Sequence, residues 1–224
     1  MEFEQVIGTR HSCRRFLQER PSDDTLAGIF RTAGMTPSWC NTQPWSTYLV
    51  KGESTRRLSA HLRAHVLAKE PHPLSSDIDF PEIYMGVYAD RRREAGYALY
   101  NALGIDRTDR EARTAAMLEN YEFFGAPVVA IVTADAAQGT YAAIDTGAYV
   151  TNLMNAAWDA GVGSVAQGAI ALHAGRLREV LPIPTAQHVV CAVALGYPDT
   201  DHPANRFRTT RAAHSELVHE VTVA

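Results

Sequence analysis

Two short, almost wholly apolar runs constrain this chain most: PVVAIVT at Pro127 to Thr133 and HVVCAVAL at His188 to Leu195. Runs of β-branched residues without polar alternation suit strands buried on both faces, so each reads as a central strand covered by helices. Between them, Thr140 to Ala160 carries apolar residues at helical spacing. Strands separated by helices, with no regular alternation, predict an α+β fold more than a doubly wound sheet. No repeat or low-complexity linker divides the 224 residues, so one domain over 1–224 is expected, large enough for its core to need no metal or disulfide staple.

Local signals place the other elements. Ser22 after Pro21 can cap a helix whose first turn holds Asp23 and Asp24, with Leu26, Ile29, Phe30 and Ala33 on the buried face and Gly34 near the stop. Trp45 to Val50 reads as a strand and Glu53 to Leu67 as an amphipathic helix. His72 to Pro81, rich in Pro, Ser and Asp, reads as a surface loop long enough to serve as a lid. Helices are expected over Glu82 to Leu103, Arg107 to Phe124 and Ala174 to Leu181, the last stopped by Pro182 and Pro184. From Tyr197 to Ala224 there is no core face until Leu217, Val218 and Val221. Such a tail gains stability only by packing on another surface, and a partner subunit is an economical candidate for it.

Lys and Arg number 21 against 25 Asp and Glu, a net charge of −4, which argues against a general nucleic-acid binder. Cys13, Cys40 and Cys191 show no disulfide or zinc spacing, so no metal is expected and a reducing cytoplasm fits. Glu2 and Glu4 at the start suit neither a secretory signal nor a transit peptide, and no run approaches the roughly 18 apolar residues of a membrane span. His61 and His65 stand four apart with Leu62 where a zinc protease would carry glutamate, so they read as surface residues. Ser12 beside His11 has neither a nucleophile elbow nor a paired acid.

Three segments carry chemistry. In RHSCRRF (10–16), Arg10, Ser12 and Arg14 share one side of a strand, and Arg10 and Arg14 also share a helix face, so either backbone aims two guanidiniums the same way. In TPSWCNTQPW (36–45), Pro37 and Pro44 stiffen a loop bearing Ser38, Trp39, Asn41 and Gln43. This suits hydrogen bonding to a heteroaromatic edge, or an ordinary helix-to-strand turn. In NRFRTTR (205–211), Arg208 and Arg211 stand three apart and can converge on one anion better than Arg206. Arginine forks onto phosphate with two parallel hydrogen bonds, so the set suits a phosphorylated planar cofactor. GVGSVAQG (161–168) lacks dinucleotide-fingerprint spacing. Its small residues permit close main-chain approach to a flat ring, or a helix end followed by a tight turn.

At these segments the chain resembles the nitroreductase family of FMN-dependent oxidoreductases, including its nitrobenzoate-reductase-like members. RHSCRRF is similar to the family's Arg-x-Ser-x-Arg motif and TPSWCNTQPW to its Pro-Ser-x-x-Asn-x-Gln-Pro-Trp turn. FFGAPVVAIVT, GVGSVAQGAIALHAGRLREVLPIP and the distal basic segment match in type and order. The resemblance implies an α+β fold with a mostly antiparallel central sheet flanked by helices. It also implies an intertwined homodimer with FMN at the subunit interface and the extension from about 197 to 224 wrapping the partner. Arg10, His11, Ser12 and Arg14 would contact phosphate, ribityl and pyrimidine edge. Pro37, Ser38, Trp39 and Asn41 would come from the partner, with Gln43 nearby. Ala166, Gln167 and Gly168 would pass beside the flavin N5, with Ala166 where relatives often have proline, and Arg208 and Arg211 would clamp phosphate. The implied activity is NAD(P)H-driven, ping-pong reduction of nitroaromatics or quinones, with no catalytic amino acid assigned. Alternatives are an FMN-storing or sensing module without turnover, or a reductase for an enone or aryl halide.

Overall fold

The two apolar runs pair with each other at the centre of an antiparallel sheet of four strands, β1 (Trp45–Lys51), β2 (Val128–Asp135), β3 (Gly163–Gln167) and β4 (Gln187–Gly196). Their order is β1-β2-β4-β3. In this computed structural model, residues 1–68 and 74–223 are described. The register runs Val128 opposite Leu195 to Asp135 opposite Gln187, with a bulge between Val132 and Thr133.

Because side chains alternate along a strand, the central strands feed two cores. On one face Val129, Ile131, Ala192 and Ala194 join Leu58 and Leu62 of helix α3 (Glu53–Val66), together with Phe123, Ile170 and Leu177. On the other, Val128, Ala130, Val132, Val193 and Leu195 join two helices: Leu26, Ile29 and Ala33 of α2 (Asp23–Ala33), and Val150, Leu153 and Ala157 of α6 (Gly139–Asp159). Each fully buried side chain of this size contributes about 1.5–3 kcal/mol relative to exposure. The double coverage explains why neither central strand shows polar alternation.

Helix α2 begins as read, with Ser22 Oγ accepting from Thr25 N at 3.1 Å. Four elements depart from expectation. A short helix α1 (Phe3–Thr9) precedes the arginine segment with no side-chain cap and only Val6 buried. The helix expected from Glu82 starts later, as α4 (Gly86–Ala102), and has no buried side chain. The helix expected to reach Phe124 is only α5 (Arg110–Leu118), followed by a 3₁₀ stretch in which Phe123 and Phe124 take positive φ of 51° and 55°. Both rings enter the core there, which reverses the chain into β2. Finally, GVGSVAQG starts as the turn that ends α6, with Gly161 at a φ of 74° and Val162 N donating to the Ala157 carbonyl at 2.8 Å, but Gly163–Gln167 then runs on as β3, paired along its length with β4.

Of the loop expected from His72 to Pro81, His72 and Pro73 lie outside the described residues, and 74–81 have no regular structure. Helices α7 (Gly168–Ala171), α8 (Ala174–Val180) and α9 (His214–Leu217) complete the chain.

Candidate functional site

The outer side of edge strand β3 is where the arginine-rich segment docks. Ser12 forms a one-residue parallel bridge to Ser164, and Cys13 N donates to the Ser164 carbonyl at 3.0 Å. Gly163 permits this approach, since a Cβ there would stand 2.7 Å from Cys13 Sγ. The C-terminal basic segment is stapled to the same place by Asn205, which is buried. Its Oδ1 accepts from Arg14 N at 2.7 Å, and its Nδ2 donates to the carbonyls of Arg15 and Asp199, both at 2.8 Å. Segments almost 200 positions apart thus share one amide.

Four guanidiniums gather around this junction. Arg14 lies 5.7 Å from the Phe207 ring centre. Arg208 donates to the carbonyls of Asn205 and Phe207, and Arg211 to Thr209 Oγ1 and the Thr210 carbonyl. Burial and then the Arg211 charge lower the Arg10 pKa, while burial lowers that of Arg14. Burial likewise lowers His11, reinforced by Arg208, Arg10 and Arg14 and opposed by its hydrogen bond to the Thr9 carbonyl. Cys13 is pushed up to about 11 by burial, against the same arginines. Among the described residues, no carboxylate forms an ion pair with Arg10, Arg14, Arg208 or Arg211, whereas Arg206 pairs with Asp201 at 3.1 Å. Gathering like charges without counterions is unfavourable, and an anion offsets the cost.

Beside this cluster the main chain of β3 is open. Ser164 directs its carbonyl outward to Cys13; by strand alternation Ala166, two residues on, aims its N–H and C=O the same way. Ala166 is also the one exposed residue of β3. Ser164 Oγ and Gln167 Oε1 are buried without a hydrogen-bond partner among the described residues, although Gln167 Nε2 donates to the Asn120 carbonyl at 2.8 Å. A phosphorylated ligand with a hydrogen-bonding ring edge fits this arrangement: charge for the phosphate, open amides for the ring. Asn205, Phe207 and Phe80, whose ring comes within 3.4 Å of where a Gly168 Cβ would stand, were not singled out from the sequence. Only burial and contact identify them.

The 36–45 turn lies elsewhere. It docks on α6 through Trp39 N to Asp145 Oδ2 at 2.9 Å and Asn152 Nδ2 to Thr36 Oγ1 at 2.7 Å. Cys40, Asn41 and Gln43 take positive φ of 50°, 57° and 48°, sparsely populated backbone that persists only when surroundings impose it. Gln43 N donates to Ser38 Oγ, and Gln43 Nε2 to Asn41. Trp39 contacts Tyr141 but is 61% exposed. Through the ladders, Ser12 aligns with Ser164, Leu195, Val128 and Lys51, while the turn enters at Trp45, the other end of β1. That is four strand spacings across, ~19 Å, and six residues along, ~20 Å. Within one chain, the turn and the arginine cluster occupy diagonal corners of the sheet.

Among the described residues, no group of three or more His, Cys, Asp or Glu side chains is placed to hold a metal ion, and no helix is long and apolar enough to cross a membrane. The model of the nitroreductase family matches residues 7–197. A 4-nitrobenzoate reductase of Pseudomonas putida is 30% identical over 218 residues, covering 97% of this chain and 95% of that protein. The crystal structure of the FMN-dependent nitroreductase NfnB of Mycobacterium smegmatis in complex with NADPH superposes with a TM-score of 0.91 at 30% identity, covering 98% of this chain and 97% of that one. That of the FMN and NADPH-dependent NfnB of Sphigopyxis sp. strain HMH gives 0.95 at 27% identity over 100% of both.

Proposed function

Because this chain belongs to the nitroreductase family, we propose that it is an FMN-dependent, homodimeric oxidoreductase that draws electrons from NAD(P)H to reduce nitroaromatics, quinones or related electrophiles. The observation that carries this reading is the set of four guanidiniums, without ion-paired carboxylates among the described residues, beside the open edge of β3. Arg10, His11, Ser12 and Arg14 would hold the phosphate, ribityl and pyrimidine edge of FMN, and Arg208 and Arg211 would complete the phosphate clamp. Ala166, Gln167 and Gly168 would lie along the ring. Pro37, Ser38, Trp39, Asn41 and Gln43 would reach the same ring from a second copy of the chain.

Bound there, FMN would supply alternating hydride acceptance from the nicotinamide and donation to the electrophile, in a ping-pong cycle. The protein's part is electrostatic and positional. Fixed positive charge at Arg10 and Arg14 stabilises added negative charge on the ligand they hold, and the open Ala166 amide orients the ring. No side chain is assigned as acid or base. Free thiols at Cys13, Cys40 and Cys191 suit work in a reducing cytoplasm.

The purified protein should be yellow, bleach under anaerobic NADPH and recover its colour on addition of 4-nitrobenzoate. Colourless protein that refuses added FMN overturns the reading. Bound FMN that neither NADPH nor NADH reduces would instead support a storage or sensing module.

A further inference from the structure

The segment after the undescribed residues 69–73 is pinned far more firmly than an irregular surface stretch requires. Arg178 of α8 grips Asp77 with two parallel hydrogen bonds, Nη1 to Oδ1 at 2.9 Å and Nη2 to Oδ2 at 2.7 Å. Both side chains are largely buried, at 19% and 16% exposure. Asp77 Oδ2 also accepts from Val189 N at 2.8 Å, and Arg178 Nη2 donates to the Gln187 carbonyl at 2.7 Å. The pair therefore ties the segment to α8 and to the start of β4 together. Ser75 adds a second anchor: its N donates to the Leu172 carbonyl and its Oγ accepts from Gly175 N.

Three residues beyond Asp77, this pinned strut ends in Phe80, a 40% exposed aromatic that no core cluster uses. Its ring packs against Gly168, where any side chain would meet it. Gly168 is two residues from the open main chain of Ala166. An exposed ring three residues from such an anchor serves recognition better than stability.

Resting on the flavin reading above, we infer that Asp77 and Arg178 are positioning residues. They pin the segment so that Phe80 walls the space over Ala166 to Gly168 and sets which aromatic acceptors enter it. An apolar wall discriminates by size and shape, and removing it opens room for a larger ring system.

The test compares Phe80→Ala, Asp77→Asn, Arg178→Lys and the Phe80→Ala/Asp77→Asn double variant. Benzoate and 2-naphthoate, neither of which is reduced, are titrated by their perturbation of the flavin spectrum. Hydrogen exchange of 74–81 is measured on the flavin-free protein. Phe80→Ala should shift the ratio of the two dissociation constants toward naphthoate by about tenfold. Asp77→Asn and Arg178→Lys should shift it the same way and speed exchange of the segment, while Asp77→Asn adds nothing once Phe80 is gone. A ratio unchanged in Phe80→Ala overturns the wall. A ratio that Asp77→Asn moves as much without Phe80 as with it, or exchange that neither pin variant alters, overturns the positioning role. Protein that takes up no FMN would sink the flavin reading instead, and the exchange measurement still judges the pin.

Discussion

Arg14 and Arg206 show how much neighbours decide. Both are arginines in basic segments, yet Asp201 neutralises Arg206. Arg14 is half-buried, its main chain is fixed by Asn205, and no acid answers it among the described residues. A hydrogen bond to a charged group is worth about 1.5–3 kcal/mol. Arg14→Gln should therefore weaken FMN binding about 10- to 100-fold, read by flavin fluorescence on titrating apoprotein. Arg206→Gln should change it less than about threefold, since an exposed pair contributes little. Equal losses in the two variants would mean that the cluster acts as diffuse charge and not as a clamp. Spacing alone led to the preference for Arg208 and Arg211 over Arg206, the arginine that pairs with Asp201. The staple that makes the cluster possible was not, because a buried asparagine in a basic tail has the same letters as a solvated one.

At the scale of elements, legibility followed the strength of the local signal. Strands β2 and β4 announced themselves because burial on both faces fills their centres with β-branched and other apolar residues. Helix α2 did so through its cap. Strand β3 had no such signal: it is five residues long, contains Gly163, Ser164 and Ala166, and follows a long helix. Its pairing with β4 makes it a strand, a tertiary decision that overrides weak propensity. What its sequence does encode is closeness. A methyl at Gly163 would meet Cys13 Sγ at 2.7 Å and Pro198 Cβ at 3.2 Å, and Cys13 is fully buried. Gly163→Ala should lower stability by about 1–3 kcal/mol, the usual cost of overpacking, measured by urea unfolding. Adding Cys13→Ala removes the nearer obstruction, so the double variant should recover part of that loss. Additive losses would place the strain at Pro198 instead.

For the whole molecule, the proposed homodimer would answer both the separated corners and the uncovered apolar surface. Helix α4 buries none of its side chains; Phe3, Met35, Trp39, Tyr141 and Ile144 stand exposed, and Leu217, Val218, Val221 and Val223 end the chain without cover. The strained turn leaves Asn41 and Gln43 exposed, bonded to each other and, through Gln43 N, to Ser38 Oγ. A two-fold axis that brings this turn to the partner's β3 edge would cover apolar surface and complete two equivalent sites at once. The expectation of such an arrangement came only from the family resemblance, because sequence periodicity reports which face is apolar and not which chain covers it. Complementation distinguishes shared sites from self-contained ones. Arg14→Ala and Asn41→Ala each damage both sites of their own homodimer. In a mixed dimer with shared sites, one site collects both substitutions while the other has Arg14 from one chain and Asn41 from the other, both intact. Co-expressed, differently tagged chains purified as the mixed dimer should therefore retain FMN tightly in one of two sites and recover roughly half of the wild-type turnover per dimer. If each chain builds its site alone, the mixed dimer has two damaged sites and recovers nothing.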